Sequence, residues 1–322
     1  MKNLTTMASL EPQETAQILD LAAELKQKWA KGERPALLAN RVLTQVFEKP
    51  SLRTRVSFEA AMQQLGGSTI FLSSADAGLN GRESTADVAR VLGSYSDAIV
   101  LRTFKQSLID DFATWSRCPV INGLSDDDHP CQALTDLFTM QEHFGPVKGL
   151  TLAYVGDGNN VARSLAIACA QLGVHFHIGA PQGYQLSGAF EKDLKAKHPS
   201  FVYKQTDDAK AAVKGVQIVY TDVWASMGQE AEKEHRAKVF ASYQVNSALM
   251  QAAGSKAKFM HCLPARRGLE VTDDVMESPA SIVFPQAENR MHLAKAVLVH
   301  MIHSRQHAPV VVSPDHKVAA GR

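Results

Sequence analysis

Six short segments carry residue types that can hold an anion, polarise a carbonyl or orient an amine. Ser51-Leu52-Arg53-Thr54-Arg55 follows a β-prone stretch and opens a helix-period one. Two hydroxyls, guanidinium groups and free backbone N–H groups then meet at a helix N-terminus, where the dipole favours negative charge. That is a phosphate cradle; the same residues also read as a hydroxyl cap followed by solvated arginines. His129-Pro130-Cys131-Gln132 follows three aspartates, with proline in position to open a helix. A neutral histidine there can donate to a developing oxyanion, or can simply lie at the surface. Residues 156–160 (GDGNN) form a turn between a strand and a helix, a setting that suits a dinucleotide fingerprint. The third glycine is missing, because Val161-Ala162 stands in its place, and no acidic residue ends the strand 174–178. These departures speak against a nicotinamide cofactor but leave a ligand loop open.

Residues 222–228 (DVWASMG) follow another strand. Asp222 can hold an amine, and Ser226 with the backbone can hold a zwitterion; a strand-end turn with Trp224 packed inside fits equally. His261-Cys262-Leu263-Pro264 invites a nucleophile reading. Neighbours on an extended chain point to opposite faces, however, and make a poor dyad. A bulged strand end that turns its carbonyls to a substrate is the other reading. Arg290, in residues 286–290 (QAENR), is expected near the start of the last helix, where the dipole disfavours a cation. An anion contact would explain it.

The elements that position these segments alternate in period. Phe58, Ala61, Met62 and Leu65 make a buried helical stripe that ends at Gly66-Gly67. Residues 41–47, 70–72, 98–101 and 120–121 read as short strands, as do 150–155, 174–178, 218–220, 259–260 and 282–284. Helices are expected around Leu134, Leu137 and Phe138, over 161–172, and along Leu293, Ala296, Val297, His300 and Met301. Strands that alternate with helices predict an α/β chain with two doubly wound parallel sheets. The composition break at 144–149 (FGPVKG) places the boundary near 145. A length of 322 residues suits two domains. The tail from Pro309 is weakly patterned and is expected to fray.

Composition excludes several classes. Apolar residues are 45%, charged residues 21% and the net charge is +1, so neither a disordered chain nor a nucleic-acid or anionic-membrane binder is expected. No apolar run reaches a membrane span, and MKNLTTMASLEPQET lacks the core of a secretory signal. Four cysteines without a CxxC spacing predict no disulfide framework, no metal cluster and a cytoplasmic setting.

Taken in order, 47–55 (FEKPSLRTR), 129–135 (HPCQALT), 156–160, 222–228, 261–264 and 286–290 resemble the aspartate/ornithine carbamoyltransferases, and within them the ornithine branch. Each segment is weak alone; together they span nearly the whole chain. The resemblance implies a carbamoyl phosphate domain (1–145 plus a C-terminal helix 290–308) and an ornithine domain (146–289), with that helix packing back on the first. It also implies a homotrimer or a multiple of one, and no metal or organic cofactor. Ser51, Leu52, Arg53, Thr54, Arg102, His129, Gln132, Cys262, Leu263 and Arg290 would hold carbamoyl phosphate, and Asn160, Asp222, Ser226 and Met227 the L-ornithine. Asp222, Cys262, His129 and Arg102 would act on the reacting atoms.

Two departures stand out. Leu52 replaces the usual threonine, as in relatives that act on N-acetylornithine or N-succinylornithine. Gly78 occupies a position that is often glutamine, and no side-chain contact is expected from it. Against an acylated substrate, Ser226-Met227-Gly228 looks like the loop that closes over free ornithine; putrescine relatives also lack it. Outside the family, the rivals are an NAD(P)-dependent oxidoreductase resting on 156–160 and a non-catalytic anion binder.

Overall fold

The computed structural model describes residues 2–306 apart from 227. The chain opens with α1 (Pro12–Ala30) and continues through β1 (Val42–Phe47), α2 (Leu52–Gln64), β2 (Ser68–Ser73), α3 (Thr85–Tyr95), β3 (Ala98–Arg102), α4 (Gln106–Trp115), β4 (Val120–Leu124) and α5 (Pro130–Phe144). A second series runs β5 (Thr151–Val155), α6 (Asn160–Leu172), β6 (His175–Gly179), α7 (Gly188–Lys197), β7 (Tyr203–Thr206), α8 (Ala209–Val213), β8 (Ile218–Thr221), α9 (Lys233–Val239), α10 (Ser247–Ala253), β9 (Lys258–His261) and α11 (Asp273–Met276). The chain then enters α12 (Val283–Gln306).

Two parallel sheets result, as the alternation predicts. Their strand orders are β2-β1-β3-β4 and β7-β6-β5-β8-β9. Each order reverses once, at β1/β3 and at β5/β8. Parallel α/β sheets bind ligands at the carboxyl ends of the strands beside such a reversal. Ser51 follows β1, Arg102 ends β3, residues 156–160 follow β5 and Asp222 follows β8. All four motif positions therefore fall where the topology opens a crevice. Register aligns the first pair, with Phe47 opposite Arg102.

The halves meet along α5 and α6, whose apolar residues share one core that includes Leu134, Leu137, Phe138, Leu165 and Ala166. Residues 130–140 of α5 are buried on every side, as expected of a helix packed between layers. Helix α12 packs back on α1, α2 and α5 through Leu293, Val297 and Met301. Among the described residues, no helix is long and apolar enough to cross a membrane.

Two expectations are corrected here. Ile282, Val283 and Phe284 do not form a strand: Val283 and Phe284 open α12, and the adjacent Ser281 makes only an isolated bridge to Phe259. A short apolar run fits a buried strand or a buried helical turn equally well. Pro285 falls in the first helical turn, where its missing N–H has no helical partner to lose. Residues 286–290 consequently lie inside the helix, and Arg290 sits two turns from its start, clear of the N-terminal dipole. Strand β7 was not expected from the sequence; it is a short edge strand without an apolar alternation. The tail from Pro309, and residues 307–308 of the expected helix, lie outside the described residues.

Candidate functional site

A cleft of about 800 Å³ opens between the two sheets. From the first half it is lined by Ser51, Arg53, Thr54, Arg102, His129 and Gln132. Asn160, Asp222, Ser226, Cys262 and Leu263 face it from the second, and Arg290 from α12. Leu52 is different. Its side chain is 74% exposed and does not line the cleft, so only its N–H remains to serve an anion. Met227 lies outside the described residues.

The first wall is cationic. Ser51 caps α2, its Oγ accepting from the Thr54 N–H at 3.3 Å, as the capping reading expects. Arg53 faces the cleft, whereas Arg55 turns away to pair with Glu59 at 2.9 Å and stack on Phe71. Arg102 is buried; its Nη1 donates to Thr54 Oγ1 at 3.4 Å and its Nε has no protein partner. Burial, followed by the nearby charges of Arg290 and Arg53, lowers its pKa to about 10. Burial also lowers the guanidinium of Arg290. Convergent buried cations of this kind need an anion to offset their desolvation and mutual repulsion. Lys49 lines the same wall, paired with Asp126 and lying 4.2 Å over the ring of Phe104. The sequence alone did not mark it as a site residue.

His129 opens α5 with its ring buried. Its backbone N–H donates to Ser164 Oγ of the second half at 2.8 Å. Burial, then Arg290 and Arg102, hold the imidazole well below 6.5. The ring is therefore neutral at pH 7 and offers one N–H donor and one acceptor. We expect ¹⁵N spectra of His129 to stay in the neutral pattern from about pH 8 to pH 6; protonation near 6.5 would contradict this. Because the unfolded chain takes up this proton first, the same group makes stability fall as pH drops below about 6.5.

The second wall is built on strand ends. Asp222 follows β8 and accepts from Cys262 Sγ at 3.0 Å, Val223 N at 2.8 Å and Asn159 Nδ2 at 3.0 Å. Burial, then Asp222, raise the Cys262 thiol well above its usual range, so it is an S–H donor rather than a nucleophile. His261 does not line the cleft. Its Nδ1 accepts from Leu263 N at 2.8 Å and its Nε2 lies 3.3 Å from Glu270. Both ring nitrogens are thus engaged, although ligating atoms of Asp222, His261 and Cys262 lie within 4.8 Å of one another. Leu263, which lines the cleft just after β9, adopts φ of 57°, the left-handed region that leucine rarely enters.

Asn159 caps α6 and braces Asp222, a role that only its position after a strand hinted at. Asn160 donates to Ser125 O across the halves at 2.6 Å. Trp224 packs on Phe240 while Ser226 lines the cleft, so the packed strand-end turn still leaves Ser226 at the cleft wall. Arg236, not singled out by the sequence, clamps this loop to the 156–160 turn through Asp157 at 2.6 Å and Trp224 O at 3.0 Å. Gly158 donates to Tyr184 O at 2.7 Å, and a Cβ there would lie 2.8 Å from Leu186 N. A neighbouring loop explains that glycine without any pyrophosphate.

Comparisons with known proteins agree over most of the chain. The family model for the carbamoyl-P binding domain of aspartate/ornithine carbamoyltransferase matches residues 2–142. The model for the Asp/Orn binding domain matches 148–301. An ornithine carbamoyltransferase of Anoxybacillus flavithermus is 48% identical over 303 residues, 94% of this chain and 96% of that protein. That of Bacillus subtilis is 46% identical over 92% of each. The solved ornithine carbamoyltransferase of Pyrococcus furiosus superposes with a TM-score of 0.90 at 45% identity, covering 94% of this chain and 97% of that one.

Proposed function

The chain belongs to the aspartate/ornithine carbamoyltransferase family, and on that premise we propose that it transfers the carbamoyl group of carbamoyl phosphate to the δ-amine of L-ornithine, giving L-citrulline and phosphate. One observation carries the reading: a cluster of buried arginines faces a strand-end carboxylate across a single cleft. The first binds a dianionic donor, and the second a cationic acceptor.

In this reading phosphate sits on Ser51, Arg53, Thr54 and the N–H groups of α2, including that of Leu52. Arg102 bridges phosphate and the carbamoyl oxygen, and neutral His129 donates to that oxygen. Gln132 and the carbonyls of Cys262 and Leu263 hold the carbamoyl amide, with Arg290 alongside. Asn160, Asp222, Ser226 and Met227 take the amino acid. Asp222 and Cys262 orient the δ-amine, which attacks once deprotonated. The tetrahedral intermediate then collapses, and the C–O bond to phosphate breaks with the proton leaving on phosphate. Holding both substrates in one geometry contributes up to ~7–11 kcal/mol of the acceleration. Donors aimed at the developing charge add ~3–4 kcal/mol each.

The domain division, with carbamoyl phosphate held by 1–145 plus the C-terminal helix and ornithine by 146–289, belongs to the same proposal, as does a homotrimer. Exposed Leu52 and Val56, one turn apart on α2, and exposed Ile70 on the edge strand β2 favour cover by another copy. Sedimentation velocity is expected to give a trimer or a multiple of it. The cytoplasm is the proposed compartment, supported by four free cysteines.

Citrulline formation with ornithine, N-acetylornithine, N-succinylornithine, putrescine and aspartate, each beside carbamoyl phosphate, tests the reading. Turnover with ornithine alone is expected. Turnover with another acceptor, or with none, would overturn it, and NADH is expected not to bind.

A further inference from the structure

We infer that Asp136, which does not line the cleft, is the positioning residue that fixes which face of Gln132 the carbamoyl group meets. The inference rests on the proposed reaction and adds a residue to it. Asp136 lies on α5, one turn after Gln132, and is fully buried. Its Oδ1 accepts from two amides, Gln132 Nε2 at 2.7 Å and Gln286 Nε2 of α12 at 2.7 Å. In its ionised form the carboxyl only accepts, and both amides then turn their nitrogen to it. Both amide oxygens are thereby aimed the other way. Gln132 Oε1 accepts from Arg290 Nη1 at 2.9 Å, and Gln286 Oε1 accepts from the His261 N–H at 2.9 Å.

The consequences reach the donor site twice. Gln132 presents an acceptor to the cleft, which suits the N–H donors of a carbamoyl group, and Arg290 is held by that same oxygen. A flipped Gln132 would set N–H against N–H at Arg290 and offer a donor where the substrate also donates. Gln286 ties the end of β9 to α12, immediately before Cys262 and Leu263, whose carbonyls face the carbamoyl amide in the proposed reaction. Burial pushes the carboxyl of Asp136 up to about 7 and the two amides oppose this, as expected of a buried carboxylate retained for orientation.

The test compares KM for carbamoyl phosphate with the inhibition constant of inorganic phosphate, which shares the cradle but has no carbamoyl group. Asp136→Ala should raise KM about 10- to 100-fold, the scale of one lost charge-assisted contact, with phosphate inhibition within threefold of the parent. Asp136→Asn keeps the size and serves as the second variant should the alanine variant fail to fold. It permits either amide orientation and should raise the ratio of the two constants at least roughly threefold. An unchanged ratio in whichever variant folds overturns the inference, as does a parallel rise in both constants. If the parent protein makes no citrulline, the proposed reaction fails and this inference falls with it. If the parent is active and the ratio is unmoved, only the role of Asp136 falls.

Discussion

Arg102→Ala is expected to lower kcat/KM for carbamoyl phosphate by about 10³-fold and, at the same time, to raise the melting temperature of the ligand-free protein. The two effects share one cause. Arg102 is buried against Arg290 and Arg53, and its pKa falls to about 10. A cation with a depressed folded pKa costs stability at every pH below that value, and the cost is relieved only as pH rises through about 10. Alanine removes both the repulsion and the unpartnered Nε. A gain of ~1–2 kcal/mol would raise the melting temperature by roughly 2–6 °C in a chain of this size. In the proposed reaction activity falls because the same cation offsets the negative charge that develops as the carbamoyl oxygen becomes an oxyanion. Steady-state kinetics and a thermal scan on one preparation check both halves. A variant that loses stability together with activity would mean that Arg102 is structural rather than part of the donor site.

Asp222→Asn should lower kcat/KM for ornithine by about 10²- to 10³-fold, while calorimetric binding of carbamoyl phosphate stays within threefold. The carboxylate accepts from a thiol, a backbone N–H and an amide N–H. Asparagine turns one of these acceptors into a donor that faces another donor, so it disorders the amine site as well as removing its charge. In the parent protein the acceptor amine must first lose a proton with pKa ~10.4, so kcat/KM for ornithine should climb about tenfold per unit between pH 6 and 8. The cationic wall is untouched by the change, which is why donor binding survives. Parent-like kinetics in the variant would remove Asp222 from the reaction.

Local features were legible in the sequence because they depend on neighbours in the chain. Caps, turns and strand periods placed Ser51 at a helix start, residues 156–160 in a turn and Asp222 after a strand, and the structure keeps all three. Since parallel strands present their carboxyl ends together, those local placements already implied a shared crevice.

What the chain could not reveal by itself depended on packing between distant segments. Residues 282–284 suit a strand or a helix equally, and only burial of α12 against α1, α2 and α5 chose the helix and carried Arg290 into the cleft. Leu52 had no local reason to face solvent, nor Arg236 to clamp a loop. Asp136 reads as one more helical residue until Gln286, 150 positions away, closes on it. Spacing along a sequence encodes the period of an element, whereas a hydrogen bond across the core depends on how two elements are turned against each other, which only the packed tertiary structure decides.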